Sequence, residues 1–318
     1  MTDRDATAGP PAPVAADDYA ALRDDVGAVE LRRDVLRASG PDALAFLEGQ
    51  LSQEVDLPPG GSAWSFLLQP QGKVVALVRF VRRGDDEFLL DTDGGWGAAV
   101  LERLQRYKLR VKCDLEALDW RCVALRGPRA AEVSPPADGD VVVATAEWPG
   151  WPGVDLLGPA PAFPPGVRPC PEEAYEIVRI EAGVPAMGSE LDERTIPAEA
   201  GIVPQTVSFT KGCFTGQELV ARIDSRGGNV PRHLRGVIVA AESPPPVGAA
   251  VQADGKDVGS LTSVGVSPGL GAPVALAYVG RAVAPPAEVT LAWEGGSAPA
   301  RVETLPLRSG PAGRPLAP

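Results

Sequence analysis

The sequence predicts an α+β fold of three subdomains, two mixed modules followed by a small β-barrel. Three observations predict it. At 318 residues the chain exceeds what one ordinary core supports and fits two or three domains. Up to residue 232, stretches with helical apolar spacing alternate with short strand-like runs. Beyond it only short alternating runs remain, separated by Pro and Gly turns, as in a small barrel or sandwich. The modules are expected at 19–118, 119–232 and 233–306. Residues 1–18 and 307–318 read as a disordered arm and tail.

The first module opens with a short strand at Val35–Arg37. Ser39 then caps a helix whose face carries Leu44, Leu47, Leu51 and Val55. A meander follows: strands at Trp64–Leu68, Val74–Val81 and Glu87–Leu90, joined by turns at 70–73 and 83–85. Asp93 is expected to cap a helix through Trp96, Val100, Leu101 and Leu104. Leu109, Val111 and Cys113 alternate as a strand. In the second module Cys122–Leu125, Val141–Ala144 and Val154–Leu157 are strands. Pro171 starts a helix that Gly183 ends, with Glu172 and Glu173 in its first turn. Glu181 stands at the negative end of that helix, against the dipole, which singles it out. The stretch 184–210 lacks periodicity and reads as a binding loop. Six strands then follow at 236–240, 249–253, 259–264, 274–279, 288–292 and 300–303.

Composition narrows the chemistry. The net charge of −12 argues against wholesale nucleic-acid binding. Two basic islands stand on this acidic body: residues 102–112 hold five bases and one acid, and 211–235 hold five bases and two acids. They suit an anionic ligand or a local RNA contact. No apolar run spans a membrane, and the N-terminus lacks the order of a signal peptide, so a cytoplasmic protein is expected. Cys113, Cys122, Cys170 and Cys213 are then reduced. Without a C-x-x-C pair, and with His233 the only histidine, no zinc site is expected. No P-loop and no G-x-G-x-x-G occur.

The densest chemistry lies in KGCFTGQELVARIDSRGG, residues 211–228. Thr215 and Glu218 form a capping-box pattern, and Leu219, Val220 and Ile223 give an apolar stripe that ends at Gly227-Gly228. That places Cys213 just ahead of a helix N-terminus with Lys211 beside it, an environment that favours a thiolate. A small residue in a tight turn is the competing reading.

KGCFTGQE also resembles the signature of the YgfZ-type folate-binding proteins, relatives of the glycine-cleavage aminomethyltransferase (T-protein). SGPDALAFLEGQLSQEV with LLQPQGKV, RIEAGVPAMGSELDE with IPAEAG, and SLTSVGVSPGLGAPVALAYV are similar to further blocks of that superfamily, so the resemblance covers most of the chain. It implies three subdomains in a ring around a channel that takes tetrahydrofolate. By the same resemblance Glu181 would face the pterin, and Lys211, Cys213, Gln217 and Glu218 would line the channel, with Cys213 as the reactive group. The sequence departs from the aminomethyltransferases at two places. Ala76 and Leu77 in GKVVALV stand where acids are expected, and Cys213 stands where K-G-D has its carboxylate. An alanine cannot take over proton transfer. The resemblance therefore implies a tetrahydrofolate-binding maintenance factor for iron–sulfur enzymes or cluster-assembly proteins, and through them for tRNA modification, more than an aminomethyltransferase. The alternative is a folate-dependent aminomethyltransferase or demethylase acting on a small amine, with Glu181 the one nameable substitute acid. A hydrolase pairing Cys213 with His233 lacks a group to orient the imidazole. A scaffold without ligand would leave Cys213 and Glu181 unexplained.

Overall fold

A computed structural model describes residues 14–133 and 140–308. Residues 1–13 and 309–318, which hold most of the expected arm and tail, lie outside the described residues. Helix α1 (Ala16–Asp24) already begins inside the expected arm, because Tyr19, Ala21 and Leu22 bury one of its faces. Strands β1 (Gly27–Leu31) and β2 (Arg33–Ser39) follow, then α2 (Ala43–Gln50), β3 (Ser62–Leu68), β4 (Val74–Arg82), β5 (Glu87–Asp93), α3 (Gly97–Tyr107) and β6 (Asp114–Leu118). The second stretch supplies β7 (Arg121–Arg126), β8 (Val142–Thr145), β9 (Gly153–Gly158), β10 (Arg168–Pro169) and α4 (Glu172–Ala182). Short helices α5 (Pro197–Ala200) and α6 (Val203–Thr206) precede α7 (Gln217–Asp224).

Two five-stranded sheets result, ordered β3-β4-β5-β2-β6 and β10-β1-β7-β9-β8. Strand β1, not foreseen in the sequence, pairs antiparallel with β7 and parallel with β10. The next strand, β2, pairs with β5 and β6 in the other sheet. Arg32 alone separates β1 from β2, so the chain crosses between sheets at one residue. The C-terminal strands β11 (Arg232–Val239), β12 (Ala250–Ala253), β13 (Lys256–Ser267), β14 (Ala272–Gly280), β15 (Ala287–Trp293) and β16 (Gly296–Glu303) close into a barrel. The fold is therefore α+β with a closed six-stranded barrel, which decides between the barrel and the sandwich that the six runs left open; closure leaves no free edge.

Several local expectations are corrected. Ser39 ends β2, and α2 begins after Asp42, whose side chain caps nothing in the helix and instead accepts the Lys112 N–H at 2.7 Å. Asp93 does not cap α3. The carboxylate of Asp34, brought in from β2, accepts the N–H groups of Gly95 and Gly97 at 2.8 Å each, leaving Asp93 free for another role. The strand expected at 109–113 lies instead at Asp114–Leu118, because Arg110 turns in the left-handed region (φ 59°) and leaves Leu109 79% exposed.

A buried ionic chain joins the two sheets. Arg79 of β4 donates through Nε and Nη2 to Asp91 of β5 at 2.9 and 3.0 Å, and through Nη1 to Asp155 of β9 at 2.7 Å. Arg126 of β7 takes the other Asp155 oxygen at 2.6 Å, and Arg33 of β2 takes Asp91 at 2.8 Å. Trp64 lies under Arg33 and Arg79, 5.5 and 5.1 Å from ring centre to guanidinium carbon, which supports the cations where no water reaches them. Burial alone would raise the Asp155 carboxyl, but Arg126 and Arg79 outweigh it and hold it well below the usual carboxylate range. Such a depressed group contributes stability that is fully present above the unfolded value of about 3.9 and is lost as pH falls through the lower folded value.

Asp155→Ala should therefore lower the urea-unfolding free energy at neutral pH by about 3–5 kcal/mol, since it leaves Arg79 and Arg126 buried without it. Asp25→Ala, which breaks the exposed pair to Arg129, should change it far less. Equal effects from the two variants would remove the buried chain from its structural role.

Candidate functional site

The ionic chain forms part of the wall of a cavity of about 500 Å³ between the two sheets and α4. The size suits a small organic ligand. Trp64, Trp148 and Tyr175 give it aromatic faces, and Leu77 and Met187 add apolar surface. A larger depression of about 680 Å³ beside α1 is lined by Asp17, Asp24, Asp25, Arg129 and Arg168; it lies more open to solvent and is ringed by exposed charges.

Glu172 of the cavity lining is exposed, and two further carboxylates, Asp93 and Glu176, stay partly open. Asp93, at the end of β5, is 33% exposed; it accepts the Met187 N–H at 2.8 Å and pairs with Arg33. Glu176 of α4 is 42% exposed and accepts Arg179 Nε and Nη2 at 3.0 and 2.8 Å. Arg179 is fixed in turn by Glu190 at 3.1 Å and by Ser263 of the barrel at 2.8 Å, so the second module and the barrel both contribute to holding Glu176. Met187 is tied twice, because its Sδ also accepts the Leu77 N–H at 3.2 Å. Ala76 and Leu77 are buried on β4, and acids line the same cavity from the neighbouring strand and from α4. Sequence reading assigned Asp93 to a helix cap and passed over Glu176. The D-T-D alternation that ends β5, which puts Asp91 and Asp93 on one face, was the available signal.

The residues singled out in the sequence fall elsewhere. Glu181 is fully buried in the seam between α1, α4 and the barrel, where it accepts Tyr19 Oη at 2.9 Å and Ser267 Oγ at 2.5 Å. Lys211, Cys213 and Gln217 meet in a separate depression of about 210 Å³, while Glu218 points outward on α7. None of the five lines the larger cavity. Most of the motif has a packing task. Lys211 Nζ pairs with Glu48 at 2.7 Å and donates to the carbonyls of Leu51 and Gln53 at 2.9 and 2.8 Å. Its burial lowers the ammonium pKa, which Glu48 partly offsets. Gln217 accepts the Phe214 N–H at 2.9 Å. Gly216, not Thr215, precedes the helix; its φ is 87°, and a Cβ there would stand 2.6 Å from the Gln69 carbonyl oxygen. Cys213 is therefore set back from the helix start, and it is exposed, whereas Cys113, Cys122 and Cys170 are buried. His233 sits on β11 opposite Val279, and no hydrogen bond links it to Cys213 among the described residues. No cluster of three metal-ligating side chains is found among them either. No helix of the described residues is long and apolar enough to cross a membrane.

Fold and cavity define a class: a three-module α+β protein that holds a ligand-sized polar–aromatic cavity at the junction of its two mixed modules. Comparison identifies the family. The GCVT N-terminal domain matches residues 10–149, and the glycine cleavage T-protein C-terminal barrel domain matches 232–307. The chain belongs to the glycine cleavage T-protein family. An aminomethyltransferase of Moorella thermoacetica is 30% identical over 84% of this chain and 82% of its own length. The crystal structure of the glycine cleavage system aminomethyltransferase T from Bartonella henselae superposes with a TM-score of 0.79 over 92% of this chain and 89% of that one, at 22% identity. A mitochondrial iron–sulfur cluster assembly factor homologue of Neurospora crassa is 28% identical over 61% of this chain, which spans about half (49%) of that relative. The link to iron–sulfur factors is thus one of distant family. These matches overturn the expectation of a maintenance factor more than an aminomethyltransferase. The aminomethyltransferases of Moorella thermoacetica and Streptomyces avermitilis are aligned over 82% and 88% of their own length.

Iodoacetamide at neutral pH should modify Cys213 well before the other three thiols. Burial raises the pKa of Cys113, of Cys122 and, up to about 11, of Cys170, and packing bars the reagent from them. Peptide mapping that finds Cys113 or Cys170 labelled as fast in the folded protein would contradict this placement.

Proposed function

We propose that this protein is a folate-dependent one-carbon transferase of the aminomethyltransferase type, acting on a small amine in the cavity between the sheets. The observation that carries the reading is the pair of partly open, rigidly held carboxylates, Asp93 and Glu176, within aromatic walls. The full-length aminomethyltransferase relatives support it.

The lining fits a reduced pterin. Trp148 and Tyr175 present ring faces to a flat heterocycle, and a carboxylate such as Glu176 can accept its ring and exocyclic N–H groups. Trp64 Nε1 and Arg126 Nε are buried donors without a partner, both on residues of the cavity wall, where a ligand carbonyl would meet complementary groups. When bound, tetrahydrofolate would supply the nitrogens that accept the one-carbon unit. The chain's own part is positional. Asp93, fixed by the Met187 N–H and Arg33, can hold the N–H of the reacting amine and carry its proton. Leu77 and Met187 keep that end of the cavity apolar, which strengthens the hydrogen bond and excludes competing water.

The test is transfer of an isotope-labelled one-carbon unit from an aminomethyl or N-methyl donor to added tetrahydrofolate. Label should move with the wild-type protein, and Asp93→Asn should slow it by roughly 100-fold or more with its thermal midpoint retained. Glu176→Gln should weaken folate binding in calorimetry by about 1–3 kcal/mol. Tight folate binding with no transfer from any donor, or full activity in Asp93→Asn, would remove the transferase reading.

A further inference from the structure

The basic island at 102–112 contributes nothing to the cavity between the sheets, and one of its arginines differs from the other buried ones. Five arginines are buried among the described residues: Arg23, Arg79, Arg103, Arg126 and Arg179. Four of them have a carboxylate within ion-pair distance, from Glu181, Asp91, Asp155 and Glu190 in turn. Arg103 of α3, only 7% exposed, has none among the described residues, and its partners are all neutral. Its Nε and Nη2 donate to the Leu68 carbonyl at 3.2 and 2.9 Å, and Nη1 donates to Gln50 Oε1 at 3.0 Å. The Tyr107 ring centre lies 3.7 Å from the guanidinium carbon. One N–H on each Nη is left without an acceptor among the described residues. Neutral acceptors return only part of the hydration that a buried cation gives up. Burial accordingly lowers the Arg103 pKa, which Tyr107 opposes and Arg106 reinforces.

This uncompensated cation lines a depression of about 480 Å³ between α3 and the 69–72 turn, which shares no lining residue with the cavity between the sheets. Arg106, one turn further along α3, adds a second guanidinium, and Gln69 and Gln71 add side-chain amides. Pro70 and Val75 supply apolar surface. The one acid of the lining, Glu102, is exposed and held to Arg106 at 3.0 Å. From this geometry we infer that the depression binds an organic phosphomonoester, with its phosphate against Arg103 and Arg106 and its organic part over Pro70 and Val75. Two guanidiniums supply more N–H donors than one carboxylate can accept, whereas the three terminal oxygens of a phosphate use them. The volume leaves room beyond the anion for a small organic group, which selects an ester above free phosphate. The site is independent of the folate reading, since the two share no residue.

Calorimetry on the full chain tests it, with inorganic phosphate, phenyl phosphate, benzoate and a single-stranded oligoribonucleotide as probes. Phenyl phosphate should bind more tightly than inorganic phosphate, and about tenfold more tightly than benzoate, at low ionic strength. Its affinity should rise as pH passes upward through about 6, where the ester takes its second charge. Arg103→Gln should abolish binding. Two exposed positions guard against a mere loss of folding at that buried one. Arg106→Gln should weaken phenyl phosphate by about three- to tenfold, and Glu102→Gln should tighten it by about two- to threefold, because it removes a like charge and frees Arg106. Both variants should keep the wild-type thermal midpoint. Phenyl phosphate that fails to bind at about 10 mM, or whose affinity ignores Arg106→Gln and Glu102→Gln, overturns the site. Benzoate binding as tightly as phenyl phosphate overturns the phosphate class, and an oligoribonucleotide that binds where phenyl phosphate does not overturns the monoester. None of these outcomes touches the folate reading, which label transfer decides.

Discussion

The cavity exists because Arg79 is shared between two sheets. Two sheets that meet normally do so through apolar side chains, but here the contact runs through Asp91, Arg79 and Asp155, all buried. Desolvating these ions is expensive, and the chain is tolerable only because each carboxylate oxygen finds an N–H and each guanidinium lies between carboxylates or over an indole. An apolar seam would pack and fill. An ionic seam demands fixed angles and spacing, and it holds the two sheets apart where Trp64 and Trp148 stack at 5.0 Å. The cavity is the space that this geometry leaves between the sheets. The barrel depends on the same region less directly, through Arg179, which binds Glu176 on one side and Ser263 on the other.

The motif at 211–217 is a second constraint, of a different kind. Lys211 ties the end of α2 by its pair with Glu48 and by two carbonyls, and Gly216 lets the 69–72 turn approach to backbone contact. A substitution at Gly216 meets both a positive φ and a carbonyl oxygen, so the sequence there is fixed by packing whatever the chemistry of the chain. A motif of this sort shows that a fold is shared. The cavity with the open carboxylates lies elsewhere.

That distinction explains what could be read from the residues. Local signals were legible: the six alternating runs marked six short strands, in a barrel or a sandwich, and Pro171 and Gly183 marked both ends of α4, Gly183 with φ 75°. The meander from Trp64 to Leu90 was legible for the same reason, since short turns force neighbouring strands to pair. The turn at Arg110 and the start of α7 at Gly216 were local departures, and the larger unread parts are non-local. Strand β1 pairs with partners about ninety or more residues away, and Asp34 caps a helix that begins sixty-three residues later. Asp93 and Asp155 are ordinary acids in their own windows, and only the tertiary fold makes one an open carboxylate and the other a buried counter-ion. Glu181 shows the converse. It breaks the dipole rule at the end of α4, yet it does so among Tyr19, Arg23 and Ser267, which satisfy it in a structural seam.

The same non-locality bears on how acids can be relocated in this family. Leu77 and Asp93 line one cavity from adjacent antiparallel strands, so a carboxylate on β5 reaches the space that position 77 of β4 faces, provided something holds it. Here Arg33 and the Met187 N–H hold it, and Met187 in turn takes the Leu77 N–H on its sulfur. Leu77 and Asp93 are therefore tied through one residue, Met187 of the 184–210 stretch. Comparing residues at matched positions along the sequence registers only the loss at Ala76 and Leu77. Comparing the walls of the cavity registers an acid within reach of the same space, and for a reaction that depends on where a proton can be held, the wall is the relevant unit.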